Sequence, residues 1–482
     1  IILVRSKIYI FKLSPVKLID IKLNEDNVSE TQSKIWKQKN QIKIFAPLGH
    51  EPRTFRFPGK CANHCATMMK HAWDNYKRYA WGKVELKPVS KEAHPASDDS
   101  FFHPTTINLG TTILVAMDTH YIMGMNEDHK VTNVHILLFI FYYNFCFALT
   151  GDTMFREKAQ HVADKLLPAF ATPSGIPRTI LNPSTGNSVN YGWAKNRSIL
   201  ADVGTLHLEF GYLSDLTDTI KPNGLYTNFV DPITGEMEGC FGTSLGAFGD
   251  SFYEYLLKTW LLNKNNETES RQMFDEAMRV IIDKLIKEYE GLTFVGYYCQ
   301  VEDGTTPEIA PKMEQLACFS GGLFALASAT LNSSLTQKYM DLAKKLTNTC
   351  HESYDKTTTK LGPILVTKYA SKTIHQSLKD DKTFTLKCQT IESYFILWRL
   401  TKDQKYKEWG WEALQAIEKN CRVDGGYTGI KNVFLSDSPK DDIQYLYLLY
   451  SHDSLISLDS WVFNTDGHPL PIKGSRFYRS EQ

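Results

Sequence analysis

The chain has 482 residues, 42% of them hydrophobic, so it is long enough to bury one large core or two smaller ones. Lysine plus arginine and aspartate plus glutamate both number 54, and this zero net charge argues against a basic surface for nucleic acid. An apolar run at 135–149 is shorter than the roughly 20 residues that a membrane-spanning helix needs.

The two ends of the chain differ from its centre. Residues 1–58 show no helical periodicity and carry mixed charge, so we predict a stem or linker there. One domain is predicted over 59–475, with a short tail over 476–482. The first residue is Ile1 rather than Met, so a targeting segment can be missing from this sequence. We expect any membrane attachment to come from an N-terminal anchor that the sequence does not show.

Two helices are predicted early in the domain. Met68 to Gly82 carries a stripe of aromatic residues and ends at glycine, which often terminates a helix. Residues 109–113 then lead into a second helix over 118–125. These segments begin a domain that we predict to be all-α.

A helical hairpin is predicted most clearly near the C-terminus. Its first helix has apolar residues at spacings of three, four and seven, which share one face: Ile391, Tyr394, Phe395 and Trp398. Residues 401–403 interrupt that pattern. A second helix then presents its own apolar face: Tyr406, Trp409, Ala413 and Ile417. We expect this second helix to end at the Asp424-Gly425-Gly426 turn.

The hairpin recurs along the chain. Residues 149–155 (LTGDTMF) reproduce 400–406 (LTKDQKY), and looser copies start at 266 and 335. Repeated helical hairpins stack because a single one cannot bury its own apolar face. The stack can be an open solenoid or a closed (α/α) barrel, and the repeat alone leaves both open. Large aromatic residues suit a closed barrel that binds sugar.

Cysteines and glycosylation sequons bear on the compartment. The chain has nine cysteines, and Cys61 and Cys65, with His64 and His71 nearby, match no usual zinc spacing. Asn-X-Ser/Thr triplets arise by chance, so the sequons favour the secretory lumen only mildly. The acceptor asparagines are Asn27, Asn196, Asn266 and Asn332.

Four motifs together resemble a known family. They lie at 68–82, 118–125, 249–258 (GDSFYEYLLK) and 463–469 (FNTDGHP). With them the chain resembles glycoside hydrolase family 47, the class I α-1,2-mannosidases, over about Met68 to Ile472. The Golgi-type members are the most similar.

This resemblance implies both a fold and a reaction. The implied fold is an (α/α)7 barrel of repeated helical hairpins. The implied reaction removes terminal α-1,2-linked mannose from the high-mannose N-glycans of glycoproteins, with inversion and with bound calcium (Ca2+). It also implies a place in the lumen of the Golgi or endoplasmic reticulum, with a type II membrane anchor in the full-length protein. An inverting hydrolase needs two carboxyl groups about 6.5–9.5 Å apart.

Asp250 and Glu392 match acidic positions of the family. Asp250 matches a catalytic aspartate, although an aspartate after glycine and before a helix is also a good N-cap. Glu392 matches a glutamate of the substrate pocket. Without the resemblance, a glutamate on an aromatic helix face is a residue at the boundary of the core, since burying it unpaired is costly.

Other positions match with less direct roles. Asp202 takes the place of a pocket glutamate that binds substrate, and Glu209, two helical turns further on, is either a second substrate-binding residue or a structural one. Thr465 matches the threonine that binds calcium through its carbonyl and hydroxyl, although the surrounding residues alone predict only a turn. Cys318 and Cys350 match the family's disulfide.

Three expected carboxylates are absent. Gln389 stands where the family has the glutamate of Arg-Pro-Glu-Thr, and an amide cannot take a proton from water at neutral pH. Ile364 follows Leu361-Gly362-Pro363 where glutamate is expected. The general acid should lie near Val134, but residues 131–149 contain no aspartate or glutamate.

Further departures concern whole segments. Residues 131–149 differ in composition from their surroundings, which suggests translated non-coding sequence or a substituted exon. The family carries segments that are missing between 218 and 221 and between 444 and 445, so we expect an incomplete barrel. Arg178 and Gln315 replace a family tryptophan and histidine.

Three interpretations remain open. The chain is an exo-α-1,2-mannosidase, or a lectin-like barrel that binds mannose without cleaving it. In the third interpretation it is the product of a faulty gene model of an active enzyme, which explains the substituted segment and the deletions together. Calcium-dependent mannose release distinguishes the first interpretation from the second.

Overall fold

The structure, a computed structural model, describes most of the domain predicted from the sequence. The described residues are 58–83, 85–93, 111–123, 152–182, 185–205, 226–235, 243–264, 266, 268–298, 312–330, 334–367, 382–387, 389–436, 438–440, 456–465 and 467–478. Val134, Glu209, the segment 131–149, both apparent deletions and residues 1–57 of the predicted stem over 1–58 lie outside them.

Helices dominate the described residues. The α-helices are α1 (Pro58–Tyr79), α2 (Thr111–Met123), α3 (Thr153–Leu166), α4 (Leu200–Gly204), α5 (Asp250–Leu262), α6 (Thr268–Lys284), α7 (Phe319–Thr330), α8 (Thr336–Asp355), α9 (Gln389–Thr401) and α10 (Lys405–Cys421). Single turns of 3-10 helix lie at Leu167–Phe170, Gly192–Ala194 and Gln315–Cys318.

The strands are short and pair antiparallel in twos. The pairs are β1 (Leu86–Lys87) with β2 (Glu92–Ala93), β3 (Ile180–Leu181) with β4 (Ser188–Val189), β5 (Ser198–Ile199) with β6 (Phe229–Val230), β7 (Ile286–Tyr289) with β8 (Leu292–Val295), β9 (Lys312–Glu314) with β10 (Leu365–Thr367), β11 (Arg422–Val423) with β12 (Gly426–Tyr427), β13 (Gly429–Ile430) with β14 (Pro439–Lys440), and β15 (Trp461–Phe463) with β16 (Pro469–Pro471).

Burial divides the helices into two layers. Helices α5, α7 and α9 are buried almost all round, whereas α6, α8 and α10 bury one apolar face and expose the other. A helix that is buried all round lies inside a fold, and an amphipathic helix covers it from outside. Each inner helix packs against the outer helix that follows it, and α7 also packs along α9. This arrangement is the expected layering of an (α/α) barrel.

The predicted repeat is confirmed in its helices and in its turns. Asp152 Oδ1 accepts a hydrogen bond from Met154 N at 3.0 Å, and Asp403 Oδ1 accepts one from Lys405 N at 3.2 Å. The two aspartates therefore play the same part before α3 and α10, as their matching sequences suggest. The looser copies at 266 and 335 lead into α6 and α8.

The predicted end of α10 is wrong. The helix stops at Cys421, and Asp424 and Gly425 instead form the turn between β11 and β12, which begins at Gly426. A Cβ atom at Gly425 would lie 2.1 Å from the carbonyl oxygen of Pro88. Glycine is thus needed there for close backbone packing, and Gly426 has φ +140°, which other residues rarely adopt.

Contacts of α1 show how the stack closes. This helix begins at Pro58, earlier than its aromatic stripe predicts, and ends at Tyr79. A ring nitrogen of His71 lies 2.9 Å from the carbonyl oxygen of Val423, and the His64 ring packs edge-on against Trp411. The first described helix therefore contacts the last helical hairpin, which favours a closed ring over an open solenoid.

A disulfide joins the inner and outer layers. Cys318, just before α7, is bonded to Cys350 in α8, with their Cα atoms 6.0 Å apart. This is the pairing that the family resemblance implies.

Removing the disulfide is expected to lower the free energy of unfolding by about 3 kcal/mol, because the bridge restrains a long loop in the unfolded chain. The variant is Cys318→Ala/Cys350→Ala, and urea denaturation measures the change. Cys421→Ala removes a free buried thiol and serves as the control. If reductant destabilised the double variant as much as the unmutated protein, the bridge would not be the cause.

No helix among the described residues is both long and apolar enough to cross a membrane.

Candidate active site

Asp250 begins the buried inner helix α5. Its side chain is fully buried, and its Oδ1 accepts a hydrogen bond from Ser251 N at 2.8 Å. The N-cap position belongs to Gly249, so the alternative that Asp250 is an N-cap is not what the structure shows. A carboxylate in the first turn is favoured by the positive end of the helix dipole.

The loop before Asp250 has no spare room. A Cβ atom at Gly249 would lie 2.6 Å from Asn228 Oδ1 and 2.7 Å from the carbonyl oxygen of Ser244. The backbone of Asn228 in turn accepts a hydrogen bond from Leu200 N, at the start of α4. Close packing thus fixes the position of Asp250 relative to α4.

A line of charges follows Asp250 along one face of α5. Glu254 and Lys258 come at successive steps of four residues, and Lys258 Nζ donates to Glu254 Oε1. The same nitrogen lies 3.7 Å from Glu392 Oε1 on α9. The side chains of Glu254, Lys258 and Glu392 are only 1%, 4% and 12% exposed. We call these three residues the buried charge cluster.

A pocket opens beside the buried charge cluster. Lys258 and Glu392 are its charged lining residues, and Phe395 and Ile396 of α9 continue the wall. The opposite wall comes from the β15–β16 hairpin, through residues that include Trp461, Phe463 and Gly467. The pocket is therefore largely apolar with a few polar groups, as sites for small ligands commonly are.

Thr465 lies at the turn of the β15–β16 hairpin. It is mostly buried, and its backbone N–H donates to Tyr255 Oη on α5 at 3.3 Å. Asn464 Oδ1 accepts from His468 N at 2.9 Å, which closes the turn. The hairpin thus brings Thr465 next to the inner helices. No cluster of three or more metal-ligating His, Cys, Asp or Glu side chains occurs in the described part of the chain.

Two of the replaced positions lie together around Gln315. The backbone N–H of Gln315 donates to the carbonyl oxygen of Ile364 at 2.7 Å. Its side-chain Nε2 donates to Tyr354 Oη at 2.7 Å and to the carbonyl oxygen of Lys387, two residues before Gln389. Gln315, Ile364 and Gln389 therefore belong to one region of the site.

The amide oxygens of Gln315 and Gln389 are unusual. Both side chains are buried, and neither Oε1 atom has a hydrogen-bond partner among the described residues. Buried polar atoms nearly always have a partner, and one without a protein partner commonly contacts water or a ligand. These two oxygens are acceptors that a bound water or hydroxyl group can use.

Glu314 links the two halves of the site. Its Oε2 accepts a hydrogen bond from Ala247 N at 2.6 Å, in the loop that precedes Asp250. Because Gln315 is the next residue, this bond connects the Asp250 loop to the region of Ile364 and Gln389. Asp202 lies half-buried in the first turn of α4, which packs against α5.

Sequence reasoning missed Glu254, Lys258 and Glu314. A signal for the first two was present, because Asp250, Glu254 and Lys258 repeat every four residues within an otherwise apolar helix. Such spacing places charges on one helix face. Nothing comparable marks Glu314, whose partner Ala247 lies 67 positions away.

Comparison with known proteins shows which family the chain is similar to. The family model described as "Glycosyl hydrolase family 47" matches residues 68–144, 142–221 and 218–472. Mannosyl-oligosaccharide alpha-1,2-mannosidase IA of Drosophila melanogaster is 47% identical over 460 residues, covering 85% of this chain and 67% of the relative. Mannosyl-oligosaccharide 1,2-alpha-mannosidase IB of Homo sapiens is 41% identical, covering 84% and 69%.

A solved structure shows the same fold. The alpha-1,2-mannosidase from Trichoderma reesei superposes with a TM-score of 0.72 at 23% identity, covering 86% of this chain and 99% of that one. The similarity confirms the all-α fold, the (α/α)7 barrel predicted from the sequence. With the family model and relatives above 40% identity, it leads to one conclusion: the chain belongs to glycosyl hydrolase family 47.

Proposed function

We propose that this chain removes terminal α-1,2-linked mannose from the high-mannose N-glycans of glycoproteins, with inversion and with calcium bound. The observation that carries this proposal is that one pocket joins Glu392 to the hairpin of Thr465. The names of the relatives from Drosophila and human, both mannosyl-oligosaccharide mannosidases, support the substrate class.

Each residue of the site has its own role in binding or cleaving the glycan. Glu392 presents a carboxylate at the pocket, where it can accept hydrogen bonds from sugar hydroxyls, and Lys258 holds it from behind. Asp250 supplies the carboxylate retained from the family's catalytic set. Phe395 and the hairpin residues cover the apolar faces of the sugar and keep bulk water out.

Hydrolysis by this chain should be slow. Gln389 can hydrogen-bond a water molecule but cannot take its proton, and Ile364 has no proton chemistry. Each positioned acid or base typically contributes a factor of about 10²–10⁴ to the rate. Without these acid and base groups, only the positioning of the substrate and electrostatic stabilisation accelerate hydrolysis.

A second candidate function is binding without turnover. The buried Oε1 atoms of Gln315 and Gln389, which have no partner among the described residues, favour it. Two amide groups, Gln389 in place of a carboxylate and Gln315 in place of a histidine, can still bind sugar hydroxyls as donors and acceptors.

An error in the coding sequence over 131–149 would also explain the missing acid near Val134. Sequencing the transcript across this segment tests that explanation.

The hairpin of Thr465 offers oxygen ligands, the kind that calcium prefers. Calcium prefers six to eight oxygen ligands. Thr465 has a carbonyl and a hydroxyl oxygen, the two atoms through which the matching threonine of the family binds calcium, and its backbone N–H donates to Tyr255 Oη on α5. Thr465 would hold the ion together with water molecules. When bound, calcium would help to hold the sugar and the attacking water.

Calcium is expected to stabilise the folded protein, since an ion bound at about a hundred times its Kd adds about 2.7 kcal/mol. Excess calcium should therefore raise Tm by a few degrees relative to EDTA, as measured by calorimetry. Thr465→Val should abolish the shift, and Thr401→Val, which removes a hydroxyl at the end of α9, should keep it. Equal Tm values in calcium and EDTA would contradict the proposed ion.

Mannose release from a high-mannose N-glycan by the purified chain tests the function. Proton NMR of the released sugar should show β-mannose first, as inversion requires. Release that EDTA prevents supports the enzyme, and glycan binding without release supports the second candidate. Failure of a folded chain to bind or cleave the glycan would overturn both.

We also propose a location in the secretory pathway, Golgi or endoplasmic reticulum. The Cys318–Cys350 disulfide supports this proposal because such bonds persist in oxidising compartments. Two sequon asparagines, Asn196 and Asn266, are exposed and so accessible to glycosylation. Mapping of attached glycans in protein from the native cell tests the location.

A further inference from the structure

A pair of aromatic rings stands at the surface near α4. Trp193, in the single turn Gly192–Ala194, is 41% exposed although tryptophan is among the most apolar side chains. Its ring stacks on that of Tyr191, with centroids 5.3 Å apart and an angle of 28° between the planes. We call Tyr191 and Trp193 the aromatic platform.

Two further rings pack against the Trp193 ring. Phe248 lies 5.8 Å and Phe229 lies 6.0 Å from the Trp193 ring, centroid to centroid. Phe229 is buried, with Ala194 and Ala201, in one small apolar cluster. The platform is therefore fixed on a packed base and is not a loose surface side chain.

The loop that carries the platform is held in an uncommon conformation. Lys195 and Asn196 both have left-handed backbones, with φ of +52° and +58°. Asn190 fixes this loop, because its Nδ2 donates to the carbonyl oxygen of Asn196 at 2.9 Å and to Ser198 Oγ at 3.1 Å. Strained backbone that persists in this way is frequent at ligand sites.

The loop of Phe248 connects the platform to two acidic residues of the candidate site, Asp202 and Asp250. The carbonyl oxygen of Phe248 accepts a hydrogen bond from Ala201 N at 2.8 Å, and Asp202 is the next residue. Phe248 itself has φ +71° and lies two residues before Asp250. Burial, with a contribution from the charge of Asp202, raises the pKa of Tyr191 to about 12, so its hydroxyl stays protonated as a donor.

We propose that the aromatic platform binds a second hexose ring of the substrate glycan, beyond the terminal mannose that is removed. The proposal rests on the proposed function. One face of a pyranose ring is lined with C–H groups, which pack on the electron-rich face of an aromatic ring. The Tyr191 hydroxyl supplies a hydrogen bond for a hydroxyl group at the edge of the sugar.

A second exposed tryptophan, Trp81, lies in a different part of the chain from the candidate site. Trp81 is 46% exposed, but its ring meets Trp73 edge-on at 5.8 Å and belongs to the surroundings of α1. No residue of the candidate site is its neighbour in sequence. Trp81 therefore offers a matched control for Trp193.

Isothermal titration calorimetry with two sugars tests the proposal. The ligands are an α-1,2-linked mannose disaccharide and a high-mannose oligosaccharide, in buffer with calcium. All proteins carry Asn196→Gln, so that no glycan at that sequon covers the rings. Trp193→Ala should weaken oligosaccharide binding about three- to tenfold, and Trp193→Phe should recover most of the loss. Trp81→Ala should bind both sugars as its parent does.

The disaccharide separates the platform from the site that binds the terminal mannose. If Trp193→Ala binds the disaccharide as its parent does but the oligosaccharide more weakly, the proposal is supported. If it binds the oligosaccharide as its parent does, the platform has no part in recognition and the proposal is overturned, while the proposed function stands. If the parent binds neither sugar, both the platform and the proposed function fail.

Discussion

Gln389→Glu is expected to raise the hydrolysis of α-mannosyl fluoride by a factor of about 10²–10⁴. Glutamate has nearly the shape of glutamine, but its carboxylate can take a proton from the attacking water. Fluoride leaves without needing a proton from the protein, so the missing acid near Val134 does not limit this substrate. The variant therefore tests the base by itself.

The rate of fluoride release should rise only when the glutamate is placed at position 389, because of the surroundings of that side chain. Its Oε1 is buried without a hydrogen-bond partner among the described residues, so a water or substrate group is the partner we expect. Gln337→Glu, on the exposed face of α8, introduces the same charge elsewhere and should leave the rate unchanged. Fluoride release is followed with an ion-selective electrode.

Two results would speak against this account of Gln389. If Gln389→Glu binds the substrate but releases fluoride no faster, Gln389 does not stand where a base acts. If the unmutated chain already releases fluoride at the rate of an efficient glycosidase, another group activates the water. In that case the absence of carboxylates at Gln389 and Ile364 does not make hydrolysis slow.

The helical hairpins could be predicted because their signal is local. Apolar residues at spacings of three and four reveal each helix, and aspartates such as Asp152 and Asp403 mark where the next helix starts. Closure of the ring could not be predicted, since it depends on contacts such as His71 with Val423, which lie 352 positions apart. The end of α10 was mispredicted because Gly425 serves packing against Pro88 and does not end the helix.

The site was predictable only in part, for the same reason. Asp250, Glu392 and Thr465 were found through motifs, each of which lies within a short segment. Glu392 and the hairpin of Thr465 meet at one pocket because α5, α9 and the β15–β16 hairpin pack together, and Asp250 lies two helical turns before the pocket residue Lys258 on α5. The four-residue spacing places Lys258 on the helix face of Glu254, but lysine is usually solvated, so the spacing does not show that Lys258 is buried or that it also contacts Glu392.

Lys258→Met is expected to lower the free energy of unfolding by about 3–5 kcal/mol, because it leaves two buried carboxylates without their cation. Lys258 is the cation that contacts both Glu254 and Glu392, and all three side chains are nearly inaccessible to water. Methionine has a similar length and fills the same space, so the loss reports on charge rather than on a cavity. Urea denaturation at neutral pH measures it.

A matched control separates burial from ion pairing as such. Lys70 and Asp74 form a pair with the same spacing of four residues on α1, but the Lys70 side chain is 65% exposed. Lys70→Met should therefore change the free energy of unfolding by less than about 1 kcal/mol. Adding Glu254→Gln to Lys258→Met should restore part of the lost stability, because one of the two buried negative charges that Lys258 contacts is removed.

The loss in free energy of unfolding on Lys258→Met shows whether the buried charge cluster fixes the position of Glu392. A loss of several kcal/mol that Glu254→Gln partly reverses would show that Lys258 holds Glu392 at the pocket against a large electrostatic cost. A change as small as that of Lys70→Met would mean that water reaches these groups. Glu392 would then lack a fixed position, and its place in the proposed recognition of mannose would have to be given up.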